Sequence, residues 1–86
     1  MNINELIKLI KKKIQENIEL ENIDVQDKSF LHKNHRGNQK DKFHLKIFIK
    51  SESLKKINKI DANKKIFKLL DEEIKKYIHS LQILIR

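Results

Sequence analysis

The sequence predicts an α+β domain with the element order α-β-β-α-α-β, a three-stranded mixed sheet carrying its helices on one face. Three observations lead there. Apolar residues recur three or four apart from Ile3 to Ile18 and again from Leu54 to Tyr77, the spacing of a helix with one buried side. They alternate with other residues over 43–50 and again towards 85, the two-residue period of a half-buried strand. The chain has 86 residues, and a domain of that size buries only roughly 60–65% of the surface its unfolded form exposes. With so little chain the sheet cannot be covered on both faces, so the helices are expected on one side. A single domain over residues 1–86 follows.

The first helix is expected over Asn4–Glu19, with Ile3, Leu6, Ile7, Ile10, Ile14 and Ile18 on one face. Asn4 is its candidate cap, and Glu5 suits the positive end of the helix dipole. The period then changes. Ile23 and Val25 alternate with Asp24 and Gln26, which predicts a short strand. Residues 27–42 are polar and hold the chain's one glycine, Gly37, so they are expected to form a loop. Phe43, Leu45, Ile47 and Ile49 form the apolar side of a second strand. Ser51 or Ser53 can cap a short helix containing Leu54, Ile57 and Ile60. Asp61 can cap a longer one, with Ile66, Leu69, Leu70, Ile74 and Tyr77 as its buried stripe. His79, Leu81, Ile83 and Ile85 are expected to share one face of the last strand. The first two strands should pair antiparallel. The crossover of roughly 27 residues suits a parallel third strand beside the second, connected in the right-handed sense.

Composition narrows the function classes. There is no cysteine, so the chain supplies no disulfide and no thiolate nucleophile or ligand, which fits a reducing compartment. No apolar run approaches the roughly 20 residues of a membrane-spanning helix, and the first residues lack the basic start of a signal peptide. A cytoplasmic protein without a membrane partner is expected. No Ser/His/Asp arrangement or glycine-rich phosphate loop appears, and Glu72-Glu73 reads as a solvated helix face, so no enzyme is expected. The net charge is +8, carried by 18 lysines and 2 arginines spread along the chain. That charge has two readings, a solvated surface or a nucleic-acid face.

The four histidines carry more information. His32 and His35 lie in the loop, His44 near the start of the second strand and His79 near the start of the third. With the third strand parallel to the second, all four should gather at one end of the sheet. Neutral imidazole binds zinc, copper, nickel and iron well. A closed structural zinc site usually needs four ligands, commonly with cysteine. The pattern alone therefore leaves two readings open, ordinary strand and loop histidines or part of a metal site.

The segments "DKSFLH" at 27–32, "HLKIFIKSE" at 44–52 and "KKIFKLLDEEIKKYIHSLQI" at 64–83 resemble the BolA family. Its pattern runs Asp-x-Ser-x-x-His, then His-Phe with an alternating strand ending at a serine, then a helix leading into Ile-His-Ala-Leu. The resemblance covers most of the chain after residue 20. It departs at Leu54-Lys55-Lys56, where the family has Phe-x-Gly, and at Ala62-Asn63-Lys64, where it has Arg-His-Arg; the usual Thr-Pro ending is also absent. The family's fold has the order derived above and is related to type II KH domains. The resemblance implies a non-enzymatic adaptor in iron–sulfur cluster assembly, trafficking or iron sensing. Its implied partner is a monothiol glutaredoxin, with which it shares a two-iron two-sulfur cluster. Glutaredoxin and glutathione provide sulfur, and BolA provides the histidine of Ile-His-Ala-Leu and a loop histidine or cysteine. By position these are His79 and His32, with His35 as a substitute and His44 in a supporting role. A monomer that holds no cluster alone and forms a heterodimer with its partner is expected. The alternative is a KH-like nucleic-acid-binding transcriptional regulator that contacts DNA through Lys55, Lys56, Lys59, Lys64 and Lys65.

Overall fold

The computed structural model describes residues 2–29 and 42–86. Helix α1 (Ile3–Asn17) is followed by strands β1 (Asn22–Asp27) and β2 (Phe43–Lys50). Helices α2 (Glu52–Lys55), α3 (Lys59–Leu69) and α4 (Asp71–Tyr77) then lead into β3 (Ile78–Ile85). The sheet order is β1-β2-β3. β1 runs antiparallel to β2, from Asn22 opposite Lys50 to Asp27 opposite Leu45, and β3 runs parallel to β2. The expected α+β architecture and strand directions are those observed.

One core holds the layers together. Leu6, Ile10 and Ile14 from α1 and Ala62, Ile66 and Leu70 from the crossover meet the odd-numbered side chains of β1 and β2. Each fully buried aliphatic side chain contributes about 1.5–3 kcal/mol, so these contacts dominate the fold's stability. Ser51, fully buried, connects the layers through polar contacts. Its hydroxyl donates to the Glu19 carbonyl at 2.7 Å and accepts the Leu54 amide at 3.2 Å, which caps α2.

Several sequence expectations need correction. Asn2, not Asn4, caps α1, its side chain accepting the Glu5 amide at 2.9 Å. Asn58, not Asp61, caps α3: its Oδ1 accepts the Asp61 backbone amide at 2.8 Å, and its side-chain amide donates to the Asp61 carboxylate at 2.8 Å. The crossover holds three helices among the described residues. The expected long helix is divided at Leu70, whose backbone lies at φ −101° and ψ 15°. Three acids, Asp71, Glu72 and Glu73, then open α4, where the positive end of a new helix favours them. Of the short helix expected to contain Leu54, Ile57 and Ile60, α2 keeps only Leu54; Ile57 lies beyond it and Ile60 belongs to α3, and both are exposed. Glu73 is not solvated. It is 4% exposed and receives the Lys13 ammonium on both carboxylate oxygens at 2.8 Å, which fastens α4 to α1.

Candidate functional site

The histidine end of the sheet is built by a register change. In β3, Ile78 stands opposite Phe43 and Ser80 opposite His44, so His79 is an extra residue in that strand. Such a bulge turns a side chain out of its alternating position. Ile78 takes the core place and is buried, while His79 is exposed. The expectation that His79 shares a face with Leu81, Ile83 and Ile85 fails for this reason. His79 instead meets His44 edge to face, with ring centroids 4.9 Å apart and an interplanar angle of 61°.

His44 is held from several directions. It is buried at 5% exposure, and its Nδ1 lies 2.7 Å from the Ser80 hydroxyl. Its backbone amide donates to the Ser29 hydroxyl at 3.1 Å, and its carbonyl accepts the Lys28 amide at 2.7 Å. Ser29 is held in turn by Asp27, whose carboxylate accepts the Ser29 amide at 2.9 Å. The Asp-x-Ser spacing is thus an Asx turn that fastens Ser29 beside His44. His32 and His35 lie outside the described residues, so of the four candidate histidines the structure brings together His44 and His79. Asp27, Ser29 and Ser80 received no individual role from the sequence. The Asp-x-Ser spacing was a legible signal for the first two.

Among the described residues, no three His, Asp or Glu side chains converge as a metal site. The donor chemistry fits one exposed imidazole offered to a group whose other ligands come from elsewhere, and does not fit a closed site built from the described residues.

The second candidate surface lies on α2 and α3. Lys55, Lys56, Lys59, Lys64 and Lys65 are all exposed, and Lys55 is 3.9 Å from Glu52, also at the surface. Such an exposed pair is worth little and leaves the lysine accessible. No helix among the described residues is long and apolar enough to cross a membrane.

The family model described as BolA-like protein matches residues 14–86. The chain belongs to the BolA family. It is 32% identical over 75 residues to the DNA-binding transcriptional regulator BolA of Haemophilus influenzae, covering 87% of this chain and 70% of that protein. Among solved structures it resembles the BolA domain of SufE1 from Arabidopsis thaliana with a TM-score of 0.78 at 22% identity, over 100% of this chain and 93% of that one. BolA1 from the same plant gives 0.78 at 24% identity, over 93% and 88% of the two chains. The Ile-His-Ala-Leu motif of BolA proteins is Ile78-His79-Ser80-Leu81 here. Ser80, the residue that departs from the motif, is the one bonded to His44.

Proposed function

We propose that this BolA protein is a non-enzymatic adaptor that presents His79 to a two-iron two-sulfur cluster shared with a monothiol glutaredoxin and glutathione. The observation that carries this reading is the bulge in β3, which exposes His79 and rests its ring against the buried His44. A ligand offered to a partner needs accessibility and a fixed direction, and this arrangement supplies both. The 30–41 segment, which carries His32 and His35, departs from Ser29, itself bonded to His44. That supports His32 as the second ligand, with His35 as its substitute. His44 orients and does not ligate. Replacing thiolate by imidazole lowers the negative charge on such a cluster and raises its reduction potential.

The test is anaerobic reconstitution with a monothiol glutaredoxin and glutathione, followed by visible circular dichroism. The mixed complex should be coloured and the lone chain colourless. His79→Ala should abolish the signal, His32→Ala should weaken it, and His35→Ala should weaken it less. Wild-type spectra for both His79→Ala and the His32/His35 double variant would refute the assignment.

A second reading, nucleic-acid binding, is favoured by the exposed lysines at 55, 56, 59, 64 and 65. The described role of the Haemophilus relative points the same way. The two readings use opposite parts of the chain and are compatible. Competition between specific and scrambled DNA near physiological salt separates sequence reading from general attraction, since lysine–phosphate contacts alone weaken steeply with salt.

A further inference from the structure

Two lysines of the second reading border a groove with an apolar floor. It has a volume of about 300 Å³ and is lined by Leu54, Ile57, Ala62 and Ile85, with Lys55 and Lys59 in its walls. Leu54 and Ala62 are buried, which fixes the floor, whereas Ile57 is 42% exposed. The outer side of α3 adds to this surface. Ile60 and Phe67, seven positions apart, share one helix side with Lys64, while Ala62 and Ile66 point to the core. The exposed large hydrophobic side chains among the described residues are Ile57, Ile60 and Phe67, all in this one stretch. From 55 to 68 the sequence holds six lysines and one acid, Asp61, and Asn58 holds that carboxylate.

This surface needs a partner that is anionic and also has apolar parts. A helix that reads duplex DNA projects Arg, Asn or Gln towards base edges in the major groove. The outward side of α3 instead offers Ile60, Lys64 and Phe67. Unpaired bases suit it better, because their faces are apolar and stack on aromatic or aliphatic surface while the backbone follows a line of cations. The floor side chains carry no hydrogen-bonding group for a ribose 2′-hydroxyl, which favours DNA over RNA.

We propose that the groove between α2, α3 and the end of β3 binds single-stranded DNA. An unstacked base rests against Ile57 and Ile85 above the buried Leu54 and Ala62, and Lys55 and Lys59 hold the flanking phosphates. The proposal rests on the nucleic-acid reading and specifies its ligand and its site.

The test is fluorescence anisotropy of the full chain with labelled oligo-dT of about twelve nucleotides, within the range that single-strand-binding domains cover. Duplex DNA and oligo-rU of the same length are compared, with polyglutamate as competitor. Oligo-dT should bind at least about tenfold tighter than the duplex, and tighter than oligo-rU. Ile57→Asn, which leaves the charge unchanged, should weaken oligo-dT binding by about tenfold, within the range for losing one stacked base. It should leave the salt dependence and the melting temperature as they are. The Lys55→Ala/Lys59→Ala variant should lower the slope of log affinity against log salt by about 1.4, or 0.7 per phosphate contact. Duplex binding as tight as oligo-dT, with Ile57→Asn silent, would overturn the groove and leave the nucleic-acid reading standing. Tighter oligo-rU binding would overturn the assignment to DNA. Failure to bind any nucleic acid would overturn both the groove and the nucleic-acid reading, and displacement by polyglutamate at equal charge would do the same and mark the face as a site for an acidic protein.

Discussion

Replacing Lys13 by alanine should destabilise the protein far more than removing an ordinary surface lysine. Its ammonium sits 2.8 Å from both oxygens of Glu73, and the Glu73 side chain is only 5% exposed. Removing one partner of a fully buried pair costs about 3–5 kcal/mol, because the remaining charge stays out of water. Lys13 keeps 31% of its side chain exposed, so water replaces part of the lost contact and the cost falls to roughly 2 kcal/mol. For a domain of this size each kcal/mol moves the melting temperature by about 4–8 °C, so Tm should drop by roughly 8–16 °C. Replacing both residues together, Lys13→Met with Glu73→Leu, should recover most of that loss, since an apolar pair carries no desolvation cost. The Glu73 carboxylate, by hydrogen bond and by charge, holds the Lys13 ammonium above its ordinary value of 10.5, against the opposing effect of burial. A cation raised on folding contributes fully below its unfolded value and loses that contribution as pH climbs through the folded one. The Tm difference between wild type and Lys13→Ala should therefore be level from neutral pH to about 10 and shrink only above 10.5. The assay is thermal unfolding by far-ultraviolet circular dichroism across that range. A Tm drop below about 3 °C for Lys13→Ala, or a difference that vanishes by pH 9, would refute the reasoning.

Other outcomes follow from the same geometry. Ser51→Ala should cost about 1–2 kcal/mol in urea unfolding, because it removes the α2 cap and a bond to Glu19 from a fully buried position. His79→Ala should change stability by less than about 0.5 kcal/mol, since the side chain is exposed. His44→Ala should cost more than about 1 kcal/mol, since its ring is buried and bonded to Ser80. Ser80→Ala should leave the fold intact but loosen the His44 ring, which proton NMR would register as changed ring-current shifts on His79; Ser80→Thr should restore them.

What the sequence revealed and what it hid divide along physical lines. β2 was legible to its end residues because Phe43, Leu45, Ile47 and Ile49 alternate without interruption. The pairing pattern followed from connection lengths. The break at Leu70 was hidden because Ile66, Leu70 and Ile74 keep a helical spacing across it. Burial of Glu73 was hidden for another reason: its partner lies 60 positions earlier in the chain, and local periodicity carries no information at that range. The short helix expected to reach Ile57 and Ile60 stops earlier because Asn58 opens a new helix between them, a cap that apolar spacing alone does not show. At the histidine end, gathering of His44 and His79 followed from parallel pairing. The bulge that turns His79 outward did not, since alternation counted back from Ile85, Ile83 and Leu81 lands on His79, and the one-residue shift that puts Ile78 in the core shows only in the pairing with β2.

The bulge also separates the duties of neighbouring positions. Ile78 and Ser80 carry the pairing with β2 on either side of His79, so the ladder continues whatever side chain stands between them. Residue 79 is therefore free to vary in chemistry without consulting the core, while its backbone position is imposed by strands that cannot vary so freely. A cysteine, an aspartate or a histidine there would be presented at the same corner of the sheet. Side-chain identity at this corner can be retuned by one codon while the scaffold that aims it stays constant.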